Sequence, residues 1–190
     1  MKKLSLLLIS FSIALAPLFC AENGSFFSNE ILLGTGVPIY DDNSLTERKN
    51  ILETSDYKRI VAGLGYNLNL NISEPIKIIF GADLSADFLW EGSQYYHTLD
   101  YAFCTGIKVF PGAQGLNFSI SYTLGNRSDF YDQKIGTSAW GNGFKLSLQY
   151  DFLNSSSSRI KPLLGAYYRC IPRGSNHTDH TLFIYGGIKF

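Results

Sequence analysis

Beyond its opening residues the chain has no apolar run approaching eighteen residues, which excludes helical membrane spans. It also lacks any block of one charge. Sixteen basic and sixteen acidic residues give a formal net charge of zero, leaving no electrostatic footprint for nucleic acid. Cysteine is scarce, at three residues. Strand parity places Cys104 on a polar face and Cys170 on an apolar one, so a bridge would need a bulge or a register change. Both therefore read as free thiols. No cofactor motif is present, and His177 and His180 have a zinc-like spacing without third and fourth ligands.

Aromatic residues, by contrast, are plentiful at 15%, with Phe and Tyr dominating. The first twenty-one residues have the order of an export signal. Lys2 and Lys3 are followed by the apolar stretch from Leu4 to Ala16, then Pro17 and a cleavage region near Cys20 or Ala21. An acylated Cys20 is the alternative, although Leu18 and Phe19 are bulkier than such sites favour. Residues 22–190 then form one domain, and losing the two lysines leaves a small acidic excess.

Its dominant signal is a period of two. From Ile76 to Trp90 every even position is apolar, while Lys77, Gly81, Asp83, Ser85 and Asp87 occupy odd ones. Such alternation means a strand with one apolar and one polar face, long enough to cross a bilayer with the usual tilt. Seven more segments share the pattern, near residues 30–40, 57–70, 97–110, 116–124, 140–152, 160–171 and 181–190. The sequence therefore predicts an all-β fold, an eight-stranded antiparallel up-and-down transmembrane β-barrel. Connections read as alternately long and short, with the long ones at 41–56, 91–96, 125–139 and 172–180. Outer-membrane barrels pair long external loops with short periplasmic turns in this way. In the first long connection Ser44, Leu45, Thr46 and Glu47 could cap a short helix over Ile51 and Leu52.

Alternation alone does not say which face is outside, because a soluble lipocalin-type barrel turns its apolar residues inward. Glycine discriminates. Gly34, Gly36, Gly63, Gly65, Gly81, Gly106, Gly125, Gly141, Gly143, Gly165 and Gly187 all fall on polar faces, and only Gly186 falls on an apolar one. A polar face rich in glycine suits a cramped interior, whereas a water-exposed face would carry long charged chains. Two aromatic girdles are expected at the membrane interfaces. One comprises Tyr40, Tyr57, Phe88, Trp90, Trp140 and Tyr168; the other comprises Phe110, Tyr150, Phe152 and Phe190.

With its leader, eight-strand meander and final strand Tyr185-Gly186-Gly187-Ile188-Lys189-Phe190, the chain resembles the small outer-membrane barrels of the OmpA, OmpX and OmpW type. That resemblance implies outer-membrane lipid as the surroundings and recognition of the last strand by barrel-assembly machinery. No peptidoglycan-binding domain of the OmpA kind is expected.

An eight-stranded barrel is only wide enough for side chains to fill. Arg59, Asp83, Asp87, Asp100, Lys145 and Arg169 are the candidate lumen ion pairs, with Lys77, Lys108, Asp151, Lys161 and Lys189 nearer the periplasm. They read as a salt-bridged plug or, as the resemblance to OmpW suggests, as the lining of a narrow conduit for small hydrophobic molecules. A rim-sited hydrolase or acyltransferase would draw on His97, Asp100, Ser175, His177, Asp179 and His180. The remaining reading places function in the external loops, as adhesion or contact with a host or envelope ligand. There the residues are Asp41, Asp42, Glu47, Arg48, Lys49 and Glu53, and Arg127, Asp129, Phe130, Tyr131, Asp132 and Lys134.

Overall fold

The computed structural model describes residues 26–41, 45–54, 56–73, 75–112, 115–152, 158–174 and 177–190. The leader with Cys20, and also Asp42, Ser44, Ser175 and Asn176, lie outside the described residues. The strands are β1 (Phe27–Asp41), β2 (Lys58–Ser73), β3 (Ile76–Glu91), β4 (Gln94–Val109), β5 (Leu116–Tyr131), β6 (Lys134–Thr137), β7 (Gly141–Asp151), β8 (Lys161–Pro172) and β9 (Thr178–Lys189). Helix α1 (Thr46–Leu52) lies between β1 and β2. Neighbouring strands pair antiparallel, β1 pairs with β9, and β4 with β5, so the sheet closes on itself. Mutual backbone hydrogen bonds of 2.8 and 3.0 Å between Asn29 and Phe190 extend the seam to the last residue. Eight strands make the wall, because β6 and β7 are one staircase broken at residues 138–140.

Closure leaves no unpaired edge within the lipid-facing wall, as hydrocarbon demands. The predicted apolar stripes point outward: Leu33, Ile60, Leu64, Phe103, Ile120, Leu164 and Ile184 are all exposed. The polar stripes enclose the axis. Ile79 and Leu89, the two apolar residues on the polar face of β3, are buried inside.

Interior glycines make room for specific rings. Phe183 occupies the space that a Cβ on Gly36 or Gly63 would need, and Tyr185 occupies that of Gly165. By contrast Gly186, on the outer face, meets only one atom near 4 Å, the Leu163 carbonyl oxygen at 3.9 Å. Side-chain bulk and its absence are therefore matched between neighbouring strands, with Gly36 directly opposite Phe183 and Gly165 opposite Tyr185.

Several expectations need correcting. The loop-end connections are not uniformly long: β3–β4 turns at Gly92 and Ser93, with Gly92 at φ +56°, and β5–β6 turns at Asp132 and Gln133. The strands simply continue past the lipid belt, where water no longer demands alternation. Conversely, residues 152–160 form one of the longer connections at the end carrying the termini. Tyr40 and Phe110 do not belong to the girdles. Their heights along the wall suit an interface, but their parity turns them inward, opposite to Ile39 and Val109. Tyr57, Phe88, Trp140, Tyr150 and Phe152 are exposed, while Trp90, Tyr168 and Phe190 are half-buried.

Candidate functional site

The lumen carries three stacked layers of side chains. At the end bearing the termini, Lys108 on β4 places Nζ 2.6 and 2.8 Å from the two carboxylate oxygens of Glu30 on β1. Asn67 and Gln149 also donate to Glu30. Asp151 accepts from Gln149 at 2.6 Å, from Lys189 at 2.8 Å and from Asn117 at 3.0 Å. Below them lies the inward Phe110 ring, with the Lys77 and Lys189 ammonium groups 5.0 and 5.5 Å from its centroid.

The middle layer is half apolar. Leu32, Leu163, Tyr167, Phe183 and Tyr185 form a buried cluster in which the Tyr167 and Phe183 rings stack at 5.4 Å. Lys145 donates to both oxygens of Asp83, at 2.9 and 2.7 Å, and its ammonium lies 4.4 Å from the Tyr167 ring centre. Two gaps lined by these residues hold only about 10 Å³ each, the order of one water.

Nearest the loops, arginines dominate. Arg169 contacts Asp100 at 3.0 Å and lies 3.9 Å from Asp83. Arg59 donates to Asp87 through two nitrogens, both at 2.9 Å. Arg59, Asp83, Asp87, Asp100, Lys145 and Arg169 each face an opposite charge, and Arg169 lies near both Asp83 and Asp100.

Parity missed their partners, which arrive from segments read as solvated loop. From α1, Arg48 reaches into the lumen to bind Asp87 at 2.7 Å. Arg173, just beyond β8, binds Asp100 at 3.2 Å and also Asp179. Arg127, buried on the continued β5, joins Asp129 at 2.9 Å and Asp179 at 2.7 Å. Tyr40 lies beneath, with the Arg48 and Arg127 guanidinium carbons 4.8 and 5.0 Å from its ring centre. Leu45 and Ile51 of the α1 region pack on Leu89 and Tyr96, so an apolar lid closes over the arginine layer. Leu45 caps the helix without a side-chain hydrogen bond. Sequence reasoning missed Glu30, yet it shares the inward parity of Gly34 and Gly36 on β1, and that alternation is the signal that could have found it.

No protein-family model matches the chain, and no curated protein resembles it in sequence. Solved structures do. The chain is similar to Ail, the attachment invasion locus protein of Yersinia pestis, solved in complex with the heparin analogue sucrose octasulfate, with a TM-score of 0.60 and 9% identity. That match covers 87% of this chain and 100% of Ail. Neisserial surface protein A is similar at a TM-score of 0.54 and 13% identity, covering 88% of this chain and 98% of that one. This chain has the fold of the small eight-stranded outer-membrane barrels.

In such a barrel the wall separates two chemistries, and the hydrolase candidates fall on opposite sides of it. His97 and His180 face outward. The His97 ring lies against Phe88 and Tyr95, and the Nδ1 atom of His180 is 2.7 Å from the Tyr168 hydroxyl. Asp100 and Asp179 face inward and are held by arginines. A strand's alternation thus keeps the neighbours Asp179 and His180 apart.

Proposed function

We propose that the protein is a non-enzymatic envelope component whose lumen is a closed strut and whose loop-end surface contacts an external partner. The observation that carries this reading is the continuous ladder of buried ion pairs, from Arg48–Asp87 at the mouth to Lys189–Asp151 at the far end. A conduit for small hydrophobic molecules would need an open axis. Here the axis is occupied by charged pairs and by the Tyr167–Phe183 stack. A leader peptide and recognition of β9 by barrel-assembly machinery belong to the same proposal.

Ail was solved with a heparin analogue, and that likeness favours outward-facing recognition here as well. The local charge differs from what a polysulfated ligand would want: exposed Lys49, Glu53, Asp56, Asp132 and Lys134 mix signs at the mouth. A protein surface of mixed charge fits this rim better than a uniformly anionic polymer.

Planar-bilayer recordings of refolded protein, run beside a gel heat-modifiability assay, test the closed strut. A folded-state mobility shift with no unit conductance is expected. Stable unit steps from the folded form would overturn it in favour of the conduit. Protease shaving of intact cells, followed by a binding comparison, tests the loop surface: adhesion that survives removal of the loops would contradict it.

A further inference from the structure

The outer wall is not a uniform apolar belt. On β2, β3 and β4 two cross-strand rows lie one above the other near the loop end. The upper row is Lys58, Trp90 and Tyr95, and the lower is Ile60, Phe88 and His97, each residue directly opposite the next across the sheet. Between the rows and the Gly92–Gln94 turn runs a groove of about 420 Å³.

Its walls are fixed before anything binds. His97 is packed against Phe88 at 5.2 Å and stacked on Tyr95 at 5.0 Å. Tyr95 is in turn anchored, because its hydroxyl accepts the Gln133 backbone N–H of the adjoining β5–β6 turn at 3.2 Å. Below, the groove runs into the lipid-facing surface through Ile60 and Phe88, both exposed. Above, Ser93 and Gln94 supply polar groups, and Lys58 stands beside Trp90 without an ion-pair partner among the described residues.

We propose that this groove binds one phosphate-bearing lipid of the surrounding leaflet. Position selects the occupant. The lower end is continuous with the membrane interface, so an acyl chain enters along Ile60 and Phe88 without crossing water. The upper end offers hydrogen-bonding groups, and Lys58, opposite the lining residue Trp90, stands beside it within reach of an anionic headgroup. An indole such as Trp90 suits that boundary, with an apolar body and a polar N–H. The residues lining the lumen take no part, so the proposal stands apart from the closed strut and the loop surface.

The chain's two tryptophans provide the test. With Trp140→Phe, Trp90 is the only indole, inside the groove; with Trp90→Phe, Trp140 reports the ordinary wall. Each variant is refolded in neutral maltoside micelles and titrated with acyl-brominated phosphatidylglycerol or with the matching phosphatidylcholine. Quenching of Trp90 by phosphatidylglycerol is expected to saturate near one lipid per barrel, while Trp140 quenching rises only in proportion to the lipid fraction. Lys58→Gln in the Trp90 reporter should raise the half-quenching lipid fraction roughly fivefold, the factor one basic residue contributes near an anionic surface. Lys58 is exposed, and a gel heat-modifiability assay checks that this variant folds. Trp90 quenching that never saturates, that saturates equally with phosphatidylcholine, or that ignores Lys58→Gln overturns the proposal.

Discussion

Lys108 and Glu30 are seventy-eight residues apart in sequence, yet their charged groups meet at 2.6 Å inside the barrel, both almost wholly shielded from water. Such a pair is a poor source of net stability, because two charges have been stripped of solvent, but it is costly to break. Replacing Glu30 with Ala leaves the Lys108 ammonium buried and uncompensated. A loss of about 3–5 kcal/mol is expected in urea unfolding of the refolded barrel. The double replacement Glu30→Leu with Lys108→Met should recover most of it. A water-filled lumen would give a different result, with losses of about 1 kcal/mol or less and no recovery in the double variant.

Asp87 has a second consequence besides its charge, since it is shared between the wall and the lid. Arg59 on β2 and Arg48 on α1 both donate to it. Arg48→Ala should release the helix while leaving the wall intact. Trypsin cleavage near Lys49 should then accelerate about tenfold, and the gel mobility of the folded barrel should stay unchanged. Asp87→Ala should release the same segment and also strand Arg59, adding a drop in unfolding midpoint. Equal protease resistance in all three proteins would mean that α1 is held by Leu45 and Ile51 alone.

The contrast between Leu64 and Gly63 tests which face meets lipid. Leu64 is 49% exposed on the outer wall, and arginine there faces the hydrocarbon. Its expected cost is about 2–4 kcal/mol in lipid. Gly63, one residue earlier, has its missing Cβ position filled by the Phe183 ring. Gly63→Ala should cost about 1–3 kcal/mol from overpacking. Its signature differs, because shrinking Phe183 to Leu should relieve the Gly63→Ala penalty and leave the Leu64→Arg penalty untouched.

The wall was legible in the sequence because lipid imposes one rule on every strand crossing it. Leu64, Phe80, Phe103 and Ile184 had to alternate with small or polar partners, and they do. Beyond the belt that rule lapses. Residues 126–131 look like loop, since Asn126, Arg127, Ser128 and Asp129 show no alternation in hydrophobicity, although they continue β5. Height along the strand suggests girdle positions for Tyr40 and Phe110, whereas parity turns both inward. The lumen charges on the wall could be read from parity, but the arginines that reach in from α1 and the β8–β9 connection could not. Arg48 and Arg173 pair with Asp87 and Asp100 through contacts that depend on how a loop folds back, and local spacing carries no record of that.

What closes the axis is a separate question from what stabilises it, and the middle layer separates the two. Lys145 and Asp83 supply charge there, whereas Tyr167 and Phe183 supply bulk. Lys145→Ala should destabilise the folded barrel by stranding Asp83, yet leave it electrically silent because the stacked rings still fill the section. Tyr167→Ala with Phe183→Ala removes the stacked pair, of which Phe183 fills the space beside Gly36 and Gly63. Added to Lys145→Ala and Asp83→Ala, these changes should produce small unit conductances in planar bilayers that neither pair of changes produces alone. Conductance from the Lys145→Ala and Asp83→Ala pair by itself would identify the ion pair, rather than the aromatic stack, as the barrier.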